Sequence, residues 1–207
     1  MNSEIVLLVG DMFTPQRMCD ISEQFRSLLA PNKINHILCL GNMGSKETYD
    51  WLKTLSNNFH CVKGDFDLNE TIPDKKCVQI GEFKIGMIHG HQVIPAGDTD
   101  SLGNVQRELG CDILVSGYTH ELSVKVKDNV LYVNPGSISG AFSPSIKENS
   151  PSFILLALQG EIAILYLYIL NNETQKFEVK KMEYTLGGNE CKKMDEEKII
   201  KNNQNYD

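Results

Sequence analysis

A chain of 207 residues, 41% hydrophobic and 23% charged, is sized and composed for one soluble globular domain with a short extension. The formal net charge of −7 argues against nucleic acid as a partner, because a phosphate-backbone binder needs a concentrated basic surface. The six cysteines (Cys19, Cys39, Cys61, Cys77, Cys111 and Cys191) form no CxxC pair, and most lie in apolar runs, so reduced and mostly buried thiols are expected. The N-terminus has no basic leader, and the apolar run 153–170 is split by Gln159, Gly160 and Glu161 into two strand-length pieces. A cytoplasmic protein follows, reaching membranes only through partners.

Residues 5–10 (IVLLVG) read as a strand buried on both faces. Ile21, Phe25, Leu28 and Leu29 then share one stripe of a helix expected over 17–29. A second strand, 36–41 (HILCLG), precedes a helix from Ser45 to Leu55 with Ser45 as its cap and Glu47 in its first turn. Strands follow at 59–64, 77–80 and 83–88, the last two joined at Gly81-Glu82 as a hairpin. A helix is expected over 101–109 and another buried strand at 113–117 (ILVSG). This β-α-β alternation implies a layered sheet with right-handed crossovers.

After Thr119 the pattern changes to strands at 122–126, 130–134, 152–159, 161–170 and 177–184, separated by turn residues. The later strands are expected to form an antiparallel sheet packed on the first, giving an α/β fold with four α/β/β/α layers. The domain is expected to span 1–186, with a disordered polar tail over 187–207 and a transient helix around 194–200.

Five of the early strands end in a residue able to bind metal: Asp11, Asn42, Asp65, His89 and His120. In open α/β sheets the carboxyl ends of strands share one edge, so these groups meet on one rim. Mixed oxygen and nitrogen donors of this kind suit divalent transition metals. Any single Asp or Asn here also fits a turn or helix cap. His91, next to Gly90, reads as a second-layer or turn residue, and Pro15-Gln16-Arg17 as a helix start.

The array resembles the calcineurin-like metallophosphoesterase family, whose pattern is Asp-x-His, Gly-Asp, Gly-Asn-His-Asp/Glu, a lone His, and Gly-His-x-His. Here the corresponding segments read Asp11-Met12-Phe13, Gly41-Asn42, Gly64-Asp65-Phe66-Asp67, His89 and Gly117-Tyr118-Thr119-His120. By that resemblance one metal site keeps Asp11, Asn42 and His120 but loses position 13. The other keeps Asn42, Asp65 and His89 but loses position 118. The shared bridge is neutral, and the phosphate-contacting histidine is Phe66. No catalytic residue is therefore assigned, the metal rim is vestigial, and no cofactor is required; any divalent cation there, zinc or manganese, is expected to bind weakly.

Segments without catalytic meaning, NKINHILCLGN, KETYDWLKTL, FKIGMIHGHQVIP and NPGSISGA, resemble the retromer small-subunit family (vacuolar protein sorting twenty-nine type). That resemblance implies a non-enzymatic scaffold for endosome-to-Golgi retrograde transport, associated with endosomes through its complex. The rim and Val93, Ile94 and Pro95 would dock on the large helical-solenoid subunit (vacuolar protein sorting thirty-five type). Leu28, Leu29, Leu155, Tyr166 and Tyr168 would receive Rab-regulator proteins. The rival readings are a weak metal-dependent phosphoesterase and a free-standing regulatory binder.

Overall fold

The computed structural model describes residues 3–31, 33–144, 146 and 149–194. The first sheet begins with three parallel strands, β1 (Glu4–Val9), β2 (His36–Cys39) and β3 (Asn58–Cys61). Its other four strands are antiparallel: β9 (Ser152–Gln159), β10 (Ile162–Leu170), β11 (Phe177–Thr185) and β12 (Cys191–Met194). The spatial order is β12-β11-β10-β9-β1-β2-β3. The second sheet is built from β4 (Lys75–Ile80), β5 (Phe83–Ile88), β6 (Ile113–Ser116), β7 (Leu122–Lys127) and β8 (Val130–Pro135), in the order β4-β5-β6-β8-β7.

The sequence pattern suggested an early sheet followed by a late one, and the chain does not divide that way. The last four strands extend the first sheet by pairing β9 with β1, and the middle of the chain forms the second sheet. Strand periodicity reports which residues share a face, but not which strand lies beside which.

Alternation within β1 explains the layers. Val6 and Leu8 face the core between the sheets, where they join Leu38, Ile85, Val115, Leu156 and Leu165. Leu7 and Val9 face the opposite side, against Ile21, Phe25, Leu52 and Leu55. These residues belong to or flank two helices, α1 (Glu23–Leu28) and α2 (Lys46–Leu55). On the outer face of the second sheet, Leu102 of α3 (Thr99–Leu109) packs with Ile88, Leu114 and Tyr132. Each fully buried Leu, Val or Ile contributes about 1.5–3 kcal/mol, so both faces of β1 anchor the sandwich.

Caps set the helix bounds. Ser45 Oγ accepts the Thr48 N–H at 3.2 Å and opens α2 where expected. Asp98 accepts the Ser101 N–H at 2.8 Å and starts α3 two residues early, while Gly110 ends it in the left-handed region. The helix expected over 17–29 is short because Asp20 accepts the Ile21 N–H and Ser22 accepts the Phe25 N–H. These side chains satisfy the backbone locally and delay helix entry.

The chain also stays in the sheet beyond the expected boundary at 187. Leu186 N–H donates to Glu161 O, and β12 pairs with β11 from Lys181↔Met194 to Tyr184↔Cys191. The expected helix around 194–200, and the rest of the extension, lie outside the described residues beyond Met194. Among the described residues no helix is long and apolar enough to cross a membrane. The six cysteines are free, with Cys39 and Cys111 buried, Cys61, Cys77 and Cys191 half-buried and Cys19 exposed.

Candidate functional site

The parallel strands of both sheets deliver Asp11, Asn42, Asp65, His89 and His120 to one rim. Asp11, Asn42, His89 and His120 are buried, whereas the Asp65 side chain is 28% exposed at the mouth. The backbone there is unusual. Asp11, Phe13, Asn42, Tyr118 and His120 have φ between 48° and 71°, a region that side chains other than Gly, Asn and Asp rarely adopt. Such strain persists only where the surroundings over-determine it. Close backbone approach is part of the cause: a Cβ on Gly41, whose φ is +92°, would lie 2.4 Å from Gly64 N.

Hydrogen bonds orient the five rim side chains. His89 Nδ1 lies 2.6 Å from Leu40 O, and His120 Nδ1 lies 2.7 Å from Ala141 O. A carbonyl only accepts, so both Nδ1 atoms carry protons and both Nε2 atoms face the rim, the arrangement typical of metal-ligating histidines. His89 Nε2 is 3.2 Å from Asp65 Oδ1, and His120 Nε2 is 3.6 Å from Asp11 Oδ1. Asp11 Oδ2 accepts the Tyr118 N–H at 2.8 Å. Asp67 Oδ2 accepts the N–H groups of Asn42 and Gly64 at 2.7 and 2.9 Å, tying two of the loops together.

The charges follow from these contacts. Burial raises the Asp11 carboxyl, and the charges of His89 and His120 offset only part of that effect. For Asp65, burial opposes ionisation, but hydrogen bonds with His89 and Asn42 and the His89 charge outweigh it and hold the carboxyl at about 2. Burial also opposes the His89 imidazolium, yet Asp65 and Asp11 raise its pKa above the usual value. His91 is lowered, first by burial and then by the charge of His89, and its Nδ1 is buried without a partner. A neutral His91 is poorly placed to replace a missing acid.

Aromatic rings occupy the altered positions. Phe13 lies 5.5 Å from the His120 ring, and Tyr118 lies 5.8 Å from the His89 ring. Each residue that replaces a family ligand thus packs on a surviving imidazole. Phe66 is 60% exposed and meets Phe13 edge to face at 5.3 Å. The Arg17 guanidinium lies 3.9 Å above Phe13 and 5.0 Å from Phe66, and it donates to Phe142 O at 3.1 Å. Together with Asn42, Asp65, Tyr118 and His120 they line a cavity of about 310 Å³. Arg17 therefore belongs to the rim, and 15–17 is a turn rather than the expected helix start, since α1 opens only at Glu23. The signal of Arg17 in the sequence was weak, because only the fold brings it over Phe13 and Phe66.

The residues expected at the two partner surfaces differ in exposure. Beside the rim, Ile94 is 85% exposed and Pro95 is exposed, but Val93 is buried and packs with Leu102 and Ile88. Val93 is thus not a free contact residue, because its side chain turns under the loop. On the first sheet Tyr166 pairs directly with Leu155, and Tyr168 stacks on Phe153 at 4.7 Å. Leu28 is exposed, but Leu29 is buried against the sheet and drops out of that surface. Phe177 joins it instead, stacked on Phe25 at 5.4 Å; its place beside Leu170 follows from strand register.

Comparison with known proteins agrees with this geometry. The profile of the calcineurin-like phosphoesterase superfamily domain matches residues 5–161. Vacuolar protein sorting-associated protein 29 of Schizosaccharomyces pombe is 40% identical over 185 residues, covering 87% of this chain and 97% of that protein. The solved structure of vacuolar protein sorting 29 from Cryptosporidium parvum is 43% identical with a TM-score of 0.83, over 88% of this chain and 98% of that one. Wild-type Vps29 of Entamoeba histolytica, solved in complex with zinc, is 40% identical with a TM-score of 0.81, over 86% of this chain and 98% of that one. With its sandwich of two sheets and its altered rim, the chain belongs to the vacuolar protein sorting 29 family within the calcineurin-like phosphoesterase superfamily.

Proposed function

We propose that this chain is a non-catalytic scaffold subunit of retromer, docking by its rim face onto the large helical-solenoid subunit (vacuolar protein sorting thirty-five type) in endosome-to-Golgi retrograde transport. The observation that carries the reading is Phe66. The position of the expected leaving-group acid holds an exposed phenyl ring, and such an acid is worth roughly 10²–10⁴-fold in rate. The same ring, with Ile94, Tyr118 and Phe142, gives the rim an apolar border, which suits an interface core better than a phosphate pocket. The docking role requires no cofactor. The protein would reach endosomal membranes through the assembled complex, and Rab-regulator proteins would meet Leu28, Leu155, Tyr166 and Tyr168.

Ile94→Asp is expected to abolish co-purification with the solenoid subunit while leaving the circular dichroism spectrum unchanged; undiminished pull-down would overturn the interface. Elution of the native protein outside any large complex would favour a free-standing binder instead. A weak phosphoesterase keeps one observation in its favour, the inward Nε2 atoms of His89 and His120 beside Asp11. Turnover of an aryl phosphate with manganese, lost on His89→Ala, would establish that reading; none is expected.

A further inference from the structure

The orientation of one amide decides what the rim can hold. The Phe66 backbone N–H can only donate, so the Asn42 atom 3.0 Å away is Oδ1. That fixes Nδ2 on the inner side, where it donates to Asp65 Oδ1 at 2.8 Å and to Asp11 Oδ1 at 3.4 Å, and lies 3.1 Å from His89 Nε2. An amide nitrogen has no free lone pair for a metal, and its two protons point where a cation would have to sit. Turning the amide over to present Oδ1 would set that oxygen against the Asp65 and Asp11 carboxylates. It would also place N–H against the Phe66 N–H.

The remaining donors do not make up the loss. With Phe13 and Tyr118 in place of imidazoles, one half of the rim is left with Asp11 and His120 and the other with Asp65 and His89. Zinc sites take at least three protein ligands in near-tetrahedral array. Among the described residues no group of three or more His, Cys, Asp or Glu side chains is arranged to hold an ion. The residues present do not fit zinc, in contrast to the zinc-bound relative.

We propose that this rim binds no zinc, and that the Asn42 side-chain amide takes the cohesive place of a bridging cation between Asp11 and Asp65. Two donated N–H groups satisfy the inward carboxylate oxygens, and Phe13 and Tyr118 close the flanks by packing on His120 and His89. The rim is then an assembled hydrogen-bond network that keeps its shape without metal. This inference is independent of the docking partner, because a zinc measurement and the Ile94→Asp pull-down read different residues.

The test is metal content by plasma mass spectrometry after incubation of the full chain with zinc and gel filtration, paired with zinc titration calorimetry. The wild type is expected to carry no stoichiometric zinc, or only zinc that Asp65→Ala leaves unchanged. Stoichiometric zinc that Asp65→Ala removes would overturn the proposal. The triple variant Phe13→His, Asn42→Asp, Tyr118→His, checked for folding by circular dichroism, is expected to gain at least one tightly held zinc; a folded triple variant that gains none would overturn the assignment of the loss to these three residues. As a second readout, chelator treatment is expected to leave the wild-type melting temperature unchanged, and a chelator-induced drop that Asp65→Ala abolishes would likewise overturn the proposal.

Discussion

The rim and the outer face of β9, β10 and β11 are both candidate contact surfaces, but they are built by opposite means. At the rim, five residues other than glycine sit in the left-handed region, and four polar side chains are buried beneath aromatic rings. On the outer face, Leu155, Tyr166 and Tyr168 stand on regular antiparallel strands with unstrained backbone, each half-buried. The first region keeps a costly backbone geometry while Phe13, Phe66 and Tyr118 depart from the family pattern. The second takes its surface from ordinary strand alternation, where side chains can change at little expense to the fold. In the proposed reading, the rim serves as a rigid docking platform and the plain sheet face as one that can vary.

Substitutions on each side test that contrast. The largest effect is expected for Asp11→Ala, which leaves the Tyr118 N–H without its acceptor and the buried His120 imidazole without its carboxylate; a loss of about 3–5 kcal/mol in urea unfolding is expected. Gly41→Ala should cost about 1–3 kcal/mol by the same measurement, because the added Cβ meets Gly64 N in a left-handed backbone. On the outer face Tyr166→Ala should cost only about 1 kcal/mol, the scale of one cross-strand pair with Leu155. If Tyr166→Ala proved as damaging as Asp11→Ala, the contrast between the regions would collapse. Ile94→Asp, at an exposed loop, should change stability by no more than about 0.5 kcal/mol.

The smallest effect is expected from pH at the α3 cap. The hydrogen bond from the Ser101 N–H holds the Asp98 carboxyl below its usual 3.8. A carboxyl whose folded pKa is depressed contributes stability above the unfolded value and loses it as pH falls through the folded one. The wild type should therefore lose a little more melting temperature below pH 3.8 than Asp98→Asn does; identical acid profiles would remove the cap from the account.

Much of the rim was legible because its residues announce themselves by type and place. Asp11, Asn42, Asp65, His89 and His120 each follow an apolar strand, and strand ends of a parallel sheet share an edge. The hairpin at Gly81-Glu82 and the Ser45 cap were equally local and came out as expected. Arg17 was missed because its partners, Phe13 and Phe66, come from different loops. Val93 and Leu29 were misplaced because a β-branched or aliphatic residue in a loop or last turn looks the same whether it packs inward or outward. The strand Cys191–Met194 was hidden in a polar stretch, since a short edge strand against β11 needs no apolar face of its own.

By itself the sequence determined the α/β alternation and the order of the rim residues, because periodicity and residue chemistry are local properties. Only the tertiary structure decided how the sheets interleave, which way the Asn42 amide points and which apolar side chains remain exposed. Those outcomes depend on contacts between residues far apart in the chain. The pairing of β1 with β9 and the Phe66 N–H that fixes Asn42 exist only after the chain has closed on itself.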